Sequence, residues 1–190
     1  MTAAGALAPC LIDLAPSARE VELGQGRRLV LASRGIASGG DGVRSSQAAG
    51  VCSRSRSGGW QAAAFGMVGR IGVDVETLAR IALNATPDDP WLAASERGVV
   101  QAAADPLMEI GCRWVLKEAY GKARGVGLAM PLDRLAFHGC HDGIALSGAE
   151  ELSGWTFALY RQADAICAVA SHATPLAPIG RKPPTPASDR

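Results

Sequence analysis

No stretch of the sequence approaches eighteen uninterrupted apolar residues, so no membrane-spanning helix is expected. A surplus of one charge sign is also missing. Nineteen Lys and Arg stand against eighteen Asp and Glu, a formal net charge of +1. No global field argues for nucleic acid or an anionic membrane, and any anion site must be local. The five cysteines, at positions 10, 52, 112, 140 and 167, are odd in number and form no Cys-x-x-Cys pair. Reduced thiols in a cytosol suit that pattern better than a disulfide framework, so a cytoplasmic location is expected. Residues 1–16 are apolar but have no basic segment and contain Asp13, so no secretory signal is expected. No internal repeat is visible.

What is present is enough for a core. The 190 residues are 48% hydrophobic and can fold as one domain or two small lobes, which excludes disorder as a global description. Residues 9–14 and 28–33 read as short strands, and the Gly-, Ser- and Ala-rich stretch between Gly35 and Gly50 as a loop. The first 56 residues carry seven arginines against four acids. An ordinary solvated surface accounts for most of them, and one or two could face a polyphosphate. Helices are expected over 78–83 and 92–104, the second carrying Glu96. A third starts at Asp105-Pro106, an N-cap followed by proline, and ends near Gly125. Leu107, Ile110 and Trp114 form its inward stripe. Glu109, Arg113 and Lys117 recur every four residues and read as an exposed salt-bridge ladder. Leu135–Phe137, Ile144–Leu146, the alternating Trp155, Phe157 and Leu159, and Ala165–Ala170 read as an antiparallel meander. His138, Cys140 and His141 crowd the turn expected over 138–143 without the ligand spacing of a closed zinc site. From Thr174 onward the proline-rich chain reads as a disordered tail.

Two stretches organise the rest. Ile71-Gly72-Val73-Asp74-Val75-Glu76 reads as a strand with Gly72, Asp74 and Glu76 on one face, an oxygen-rich patch suited to a hard cation. Trp114-Val115-Leu116-Lys117-Glu118-Ala119-Tyr120-Gly121-Lys122 reads as a helix on which Glu118 and Lys122 are neighbours, adding a third carboxylate and charge for a phosphate.

Together these stretches resemble the signature of the 4′-phosphopantetheinyl transferases of the larger, two-lobed type: Gly-(Val/Ile)-Asp-x-Glu, then Trp-x-x-Lys-Glu-Ala-x-x-x-Lys some forty residues on. The Gly125-Val126-Gly127-Leu128 and Pro131-Leu132-Asp133 sequel fits too. The resemblance covers roughly residues 51–170. It implies an α+β fold of two pseudo-symmetric lobes, each a small, mostly antiparallel sheet packed with helices. The N-terminal lobe would be reduced (1–62), the C-terminal lobe (63–173) would hold the motifs, and 174–190 would be tail. A monomer is implied as well.

The implied reaction moves 4′-phosphopantetheine from coenzyme A to a serine of an acyl or peptidyl carrier protein, in secondary metabolism or elsewhere, releasing adenosine 3′,5′-bisphosphate. Asp74, Glu76 and Glu118 would hold Mg2+. Glu118 would also serve as general base, directly or through a water, and Lys122, with Lys117 as second candidate, would pair with the pyrophosphate. Where the family usually has Ser-His-Ser-Gly, its histidine on the 3′-phosphate of coenzyme A, this chain has Ser55-Arg56-Ser57-Gly58. A guanidinium binds phosphate well, so Arg56 and Ser55 would take that role. The same residues also read as a polar turn. Two further readings stand behind this one. One is a non-catalytic coenzyme A- or carrier-binding relative that retains the metal motif. The other is an unrelated metal-dependent phosphate-handling enzyme.

Overall fold

The structure, a computed structural model, describes residues 5–24, 26–33, 51–66, 69–140, 143–149 and 153–173. The loop expected over 35–50 and the tail from 174 lie outside the described residues. In chain order the strands are β1 (Leu11–Asp13), β2 (Glu20–Gly24), β3 (Arg27–Ser33), β4 (Val51–Ser57), β5 (Trp60–Gly66), β6 (Arg70–Thr77), β7 (Ala136–Cys140), β8 (Gly143–Ser147), β9 (Trp155–Gln162) and β10 (Ala165–His172). The helices are α1 (Leu78–Asn84), α2 (Ala94–Ala102) and α3 (Pro106–Arg124). The class is α+β, as expected.

One sheet has the order β1-β9-β10-β6, antiparallel except where β1 runs parallel to β9. A second, antiparallel sheet has the order β2-β3-β5-β4, and β7 and β8 form a separate hairpin. The strands of that hairpin run into the segment expected to turn, so His138 and Cys140 sit on β7. Alternation along β6 decides how the layers stack. Ile71, Val73 and Val75 face the second sheet, in a core with Leu29, Leu31, Trp60, Ala62 and Ala64. The other face of the first sheet meets α3 across a core that includes Val115, Leu116, Ala119, Tyr120, Phe137, Leu159 and Ile166.

The expected division at 62/63 falls inside β5, and β1, from the N-terminal part, pairs with β9 from the C-terminal part. Backbone pairing therefore crosses the boundary. The helices pack with β6, β7, β9, β10 and one another.

Helix α3 has the ends its sequence predicts. Asp105 accepts a hydrogen bond from the Met108 amide, and the helix stops at Gly125, whose φ of 71° is the left-handed conformation glycine adopts freely. Its inward face is much wider than the predicted stripe: Cys112, Val115, Leu116, Ala119 and Tyr120 are all fully buried, and Leu107 and Trp114 only half-buried. Gly72 lets this helix rest on β6. A Cβ there would lie 2.0 Å from the Ala119 carbonyl oxygen and 2.5 Å from the Ala123 nitrogen. Backbone atoms in a packed helix cannot step aside singly, so Gly72→Ala is expected to destabilise the protein by about 3 kcal/mol. An unchanged urea midpoint would refute this packing role.

Candidate active site

The alternation that buries Val73 turns Asp74 toward α3, where Lys122 projects from the last helical turn. Lys122 Nζ donates to Asp74 Oδ1 at 2.6 Å and to Ser55 Oγ at 3.2 Å, and Ser55 Oγ donates to the same carboxylate oxygen at 2.7 Å. Three elements thus meet: β4, β6 and α3. Strand β4 lies beside β6 although its backbone ladder is with β5. Serine side chains span the gap. Ser53 Oγ accepts from the Val73 amide at 3.0 Å, Ser55 reaches Asp74, and Ser57 donates to Glu76. Glu76 also accepts from the Thr77 amide and pairs with Arg80 Nε at 3.2 Å.

Strand geometry separates the two residues expected on the 3′-phosphate. Ser55 faces β6 with Ser53 and Ser57, whereas Arg56, one residue on, is exposed on the opposite face of β4. The segment is a strand and not the alternative polar turn, which is confined to the residues between β4 and β5.

Burial pushes the carboxyl of Asp74 above its ordinary value. Lys122 and Ser55 pull it back, and Glu76 adds a smaller push. Half-buried Glu118 is likewise raised, first by burial and then by the negative charge of Asp74, with Lys122 opposing. Because the folded values are raised, these two groups favour the folded state most at acid pH, and that contribution is lost as pH rises through them. Lys122→Met should raise both carboxyls further, and Asp74→Asn should lower Glu118. Carbon-13 titration of the carboxyl groups reads these shifts. A Glu118 titration indifferent to both substitutions would mean that the three groups do not share one electrostatic site.

Among the described residues no three His, Cys, Asp or Glu side chains gather closely enough to hold a metal ion as they stand. The donor chemistry nevertheless fits a hard divalent cation. Asp74, Glu76 and Glu118 offer only oxygen, Glu118 makes no hydrogen bond or ion pair with any described residue, and the three carboxylates repel one another. Lys122 holds the Asp74 oxygen that such an ion would share.

Lys117 lies elsewhere. The structure does not bring it to the other site residues. Steps of about 100° per residue turn it away from both Glu118 and Lys122. Its fully buried ammonium donates to Glu96 Oε2 at 2.6 Å and to the carbonyls of Trp91 and Leu132 at 2.9 and 2.8 Å. Glu109 and Arg113, read from sequence as part of an exposed ladder, are buried with it. Arg113 pairs with Glu109 and lies 3.8 Å from Glu96, while the Glu109 carboxylate accepts from the Leu7 and Ala8 amides. Glu96 also accepts from the Phe137 amide at 2.8 Å. This network ties α2, α3, the N-terminal segment and β7 together, and sequence reasoning missed it. The available signal was that apolar residues occur on nearly every side of α3, which marks a buried helix.

A cavity of about 450 Å3 opens beside Glu76, lined by Arg80, Ile81, Pro90, Trp91 and Trp114 among others. It is large enough for a small organic group. The two indoles meet edge-on at 5.2 Å. No helix among the described residues is long and apolar enough to cross a membrane.

Comparison with known proteins bears on this cluster. The family described as the 4′-phosphopantetheinyl transferase superfamily (ACPS) matches residues 70–170. A holo-[acyl-carrier-protein] synthase of Azoarcus sp. (strain BH72) is 35% identical over 83 residues, covering 41% of this chain and 66% of that protein's length, just under two thirds. Solved structures with similarity include the holo-[acyl-carrier-protein] synthase of Neisseria meningitidis, at 17% identity over 54% of this chain and 96% of that one, with a TM-score of 0.48. Another is the Bacillus anthracis str. Ames enzyme in complex with CoA (3′,5′-ADP), at 20% identity over 55% of this chain and 96% of that one, TM-score 0.47. The family match takes in β6, α3 and both carboxylate-bearing motifs and spans more than half the chain, so this chain belongs to the 4′-phosphopantetheinyl transferase superfamily.

Proposed function

We propose that this protein transfers 4′-phosphopantetheine from coenzyme A to a serine hydroxyl of an acyl or peptidyl carrier protein, with Mg2+, releasing adenosine 3′,5′-bisphosphate. The observation that carries the reading is the meeting of Lys122 and Asp74, both inside the family-matched span, with Ser55, beside the Glu118 carboxylate, which is unpaired among the described residues. The Azoarcus relative's name points the same way.

The serine oxygen forms a bond to the pantetheine-side phosphorus, and the bond from that phosphorus to the bridging pyrophosphate oxygen breaks. Asp74, Glu76 and Glu118 would hold the magnesium ion, which when bound neutralises charge on the pyrophosphate oxygens. Lys122 exchanges its partner Asp74 for a phosphate oxygen and stabilises the charge that grows on the leaving group. Glu118 takes up the serine proton, directly or through a water. Its raised affinity for a proton makes it a better acceptor than an exposed glutamate. Ser55 orients Asp74, and Arg56, exposed on the opposite face of β4, would have to be reached by the 3′-phosphate around the edge of that strand. Arg56→Ala should then weaken coenzyme A about tenfold or more while leaving dephospho-coenzyme A nearly unchanged, by calorimetric titration. Equal losses for the two ligands would sink that role.

One chain supplies β4, β6 and α3 together, so the proposal includes an active monomer, and the unpaired cysteine pattern of the sequence supports a cytoplasmic location for it. The test is intact mass spectrometry of an apo carrier protein incubated with this protein, coenzyme A and Mg2+. Gain of one phosphopantetheine arm supports transfer. A non-catalytic, coenzyme A-binding relative is the second reading, favoured by the Lys122–Asp74 pair, which engages a carboxylate that would hold the cation. Metal-dependent coenzyme A binding with no gain on several carriers would establish it instead.

A further inference from the structure

The N-terminal segment meets β7 at one point. The Gly139 amide donates to the Gly5 carbonyl at 3.3 Å, and these two residues form an isolated bridge. Gly139 is what allows the approach: a Cβ there would stand 2.1 Å from the Ala6 carbonyl oxygen and 3.0 Å from Cys10 Sγ. Cys10 ends the 3-10 turn Ala8–Cys10, and Cys140 ends β7. Both thiols donate to one acceptor, the Gly143 carbonyl, at 3.6 and 3.4 Å. Sharing that oxygen makes the two sulfurs neighbours although 130 positions separate them in sequence.

We propose that Cys10 and Cys140 form a dithiol site for disulfide oxidants of the glutathione class, closing to an intramolecular disulfide that ties the N-terminal segment to the β7–β8 hairpin. Cys140 is exposed and reacts first, whereas Cys10 is half-buried, its thiol raised by burial and by Cys140. The Cys140 thiolate attacks one sulfur of oxidised glutathione, forming a mixed disulfide and expelling one glutathione thiolate. Cys10, on losing its proton, attacks Cys140 Sγ and expels the second. Two protein thiols are oxidised and one glutathione disulfide is reduced to two thiols. The remaining cysteines are placed otherwise: Cys112 and Cys167 are buried in the two cores, and Cys52 is exposed on β4 of the other sheet. The tie would hold the segment whose Leu7 and Ala8 amides satisfy Glu109.

The test treats the full chain with oxidised glutathione and follows intact mass, peptide mapping and thermal unfolding, beside Cys10→Ser, Cys140→Ser and Cys52→Ser. The expected result is loss of two hydrogens mapped to Cys10–Cys140, retained in Cys52→Ser. Cys10→Ser should stop at a glutathione adduct on Cys140. Oxidation should raise Tm by roughly 5–10 °C, reversibly with dithiothreitol. A stable adduct on Cys140 of the unsubstituted protein, a bridge through Cys52, or an unmoved Tm after closure would each overturn the proposal. Circular dichroism of the serine variants establishes that they are folded before oxidation.

Discussion

Lys117→Met is expected to destabilise the protein by about 3–5 kcal/mol, the range found when one partner of a buried ion pair is removed. The ammonium has no exposed surface and closes three interactions at once, with Glu96 and the Trp91 and Leu132 carbonyls. Without it the Glu96 carboxylate stays in the core with only the Ala93 and Phe137 amides and a distant Arg113. Glu96→Gln combined with Lys117→Met removes the stranded charge and should recover part of the loss. Urea unfolding of the single and double variants reads both effects. The transfer assay separates this role from the phosphate-binding one that the motif suggests. Lys117→Met should lose folded protein but keep kcat/KM per folded molecule within a fewfold. A stable variant with greatly reduced kcat would return Lys117 to the reaction.

The opposite profile is expected of Glu118→Ala and Asp74→Ala: transfer falls by about 10³-fold or more while unfolding midpoints stay close to those of the unsubstituted protein. The magnitude follows from losing a general base and an ionic ligand together. The small stability cost follows from where the groups sit. Glu118 is half-buried at the cleft and has no hydrogen-bond or ion-pair partner among the described residues to strand, and Asp74 carries a burial penalty that its removal relieves. Asp74→Ala also frees Lys122, so an increase in coenzyme A affinity without turnover would still agree with Lys122 serving phosphate. Melting with retained transfer in either variant would refute the assignment.

Comparing Lys117 with Glu118 shows how far the sequence could be read. Both stand in one motif, adjacent, and both are expected at the site, Glu118 on the cation and as base, Lys117 on the pyrophosphate. Neighbours on a helix point about 100° apart, so only one can face a given strand, and which one depends on what surrounds the helix. Periodicity is informative when a helix has one wet side. Helix α3 is covered on nearly all sides, so Glu109, Arg113 and Lys117 looked like a solvated ladder when they are the polar interior of the fold. Ser55 and Arg56 pose the strand version of the same problem. The motif names both, alternation separates them, and the pairing of β4 with β5 decides which one meets Asp74.

By itself the sequence determined what depends on neighbours along the chain. The Asp105 cap and the Gly125 stop bound α3, alternation in β6 put Val73 and Asp74 on opposite faces, and two motifs named the family. These are local steric and hydrogen-bonding preferences, expressed within a few residues. Only the tertiary structure decided which charges are buried, why residue 72 is glycine, and how Cys10 comes beside Cys140. Those outcomes depend on which surfaces meet. Two backbones in contact at Gly72, or two thiols on one carbonyl, are set by the stacking of a sheet on a helix and a terminal segment on a hairpin. A chain read one residue after another does not contain those distances until it has folded.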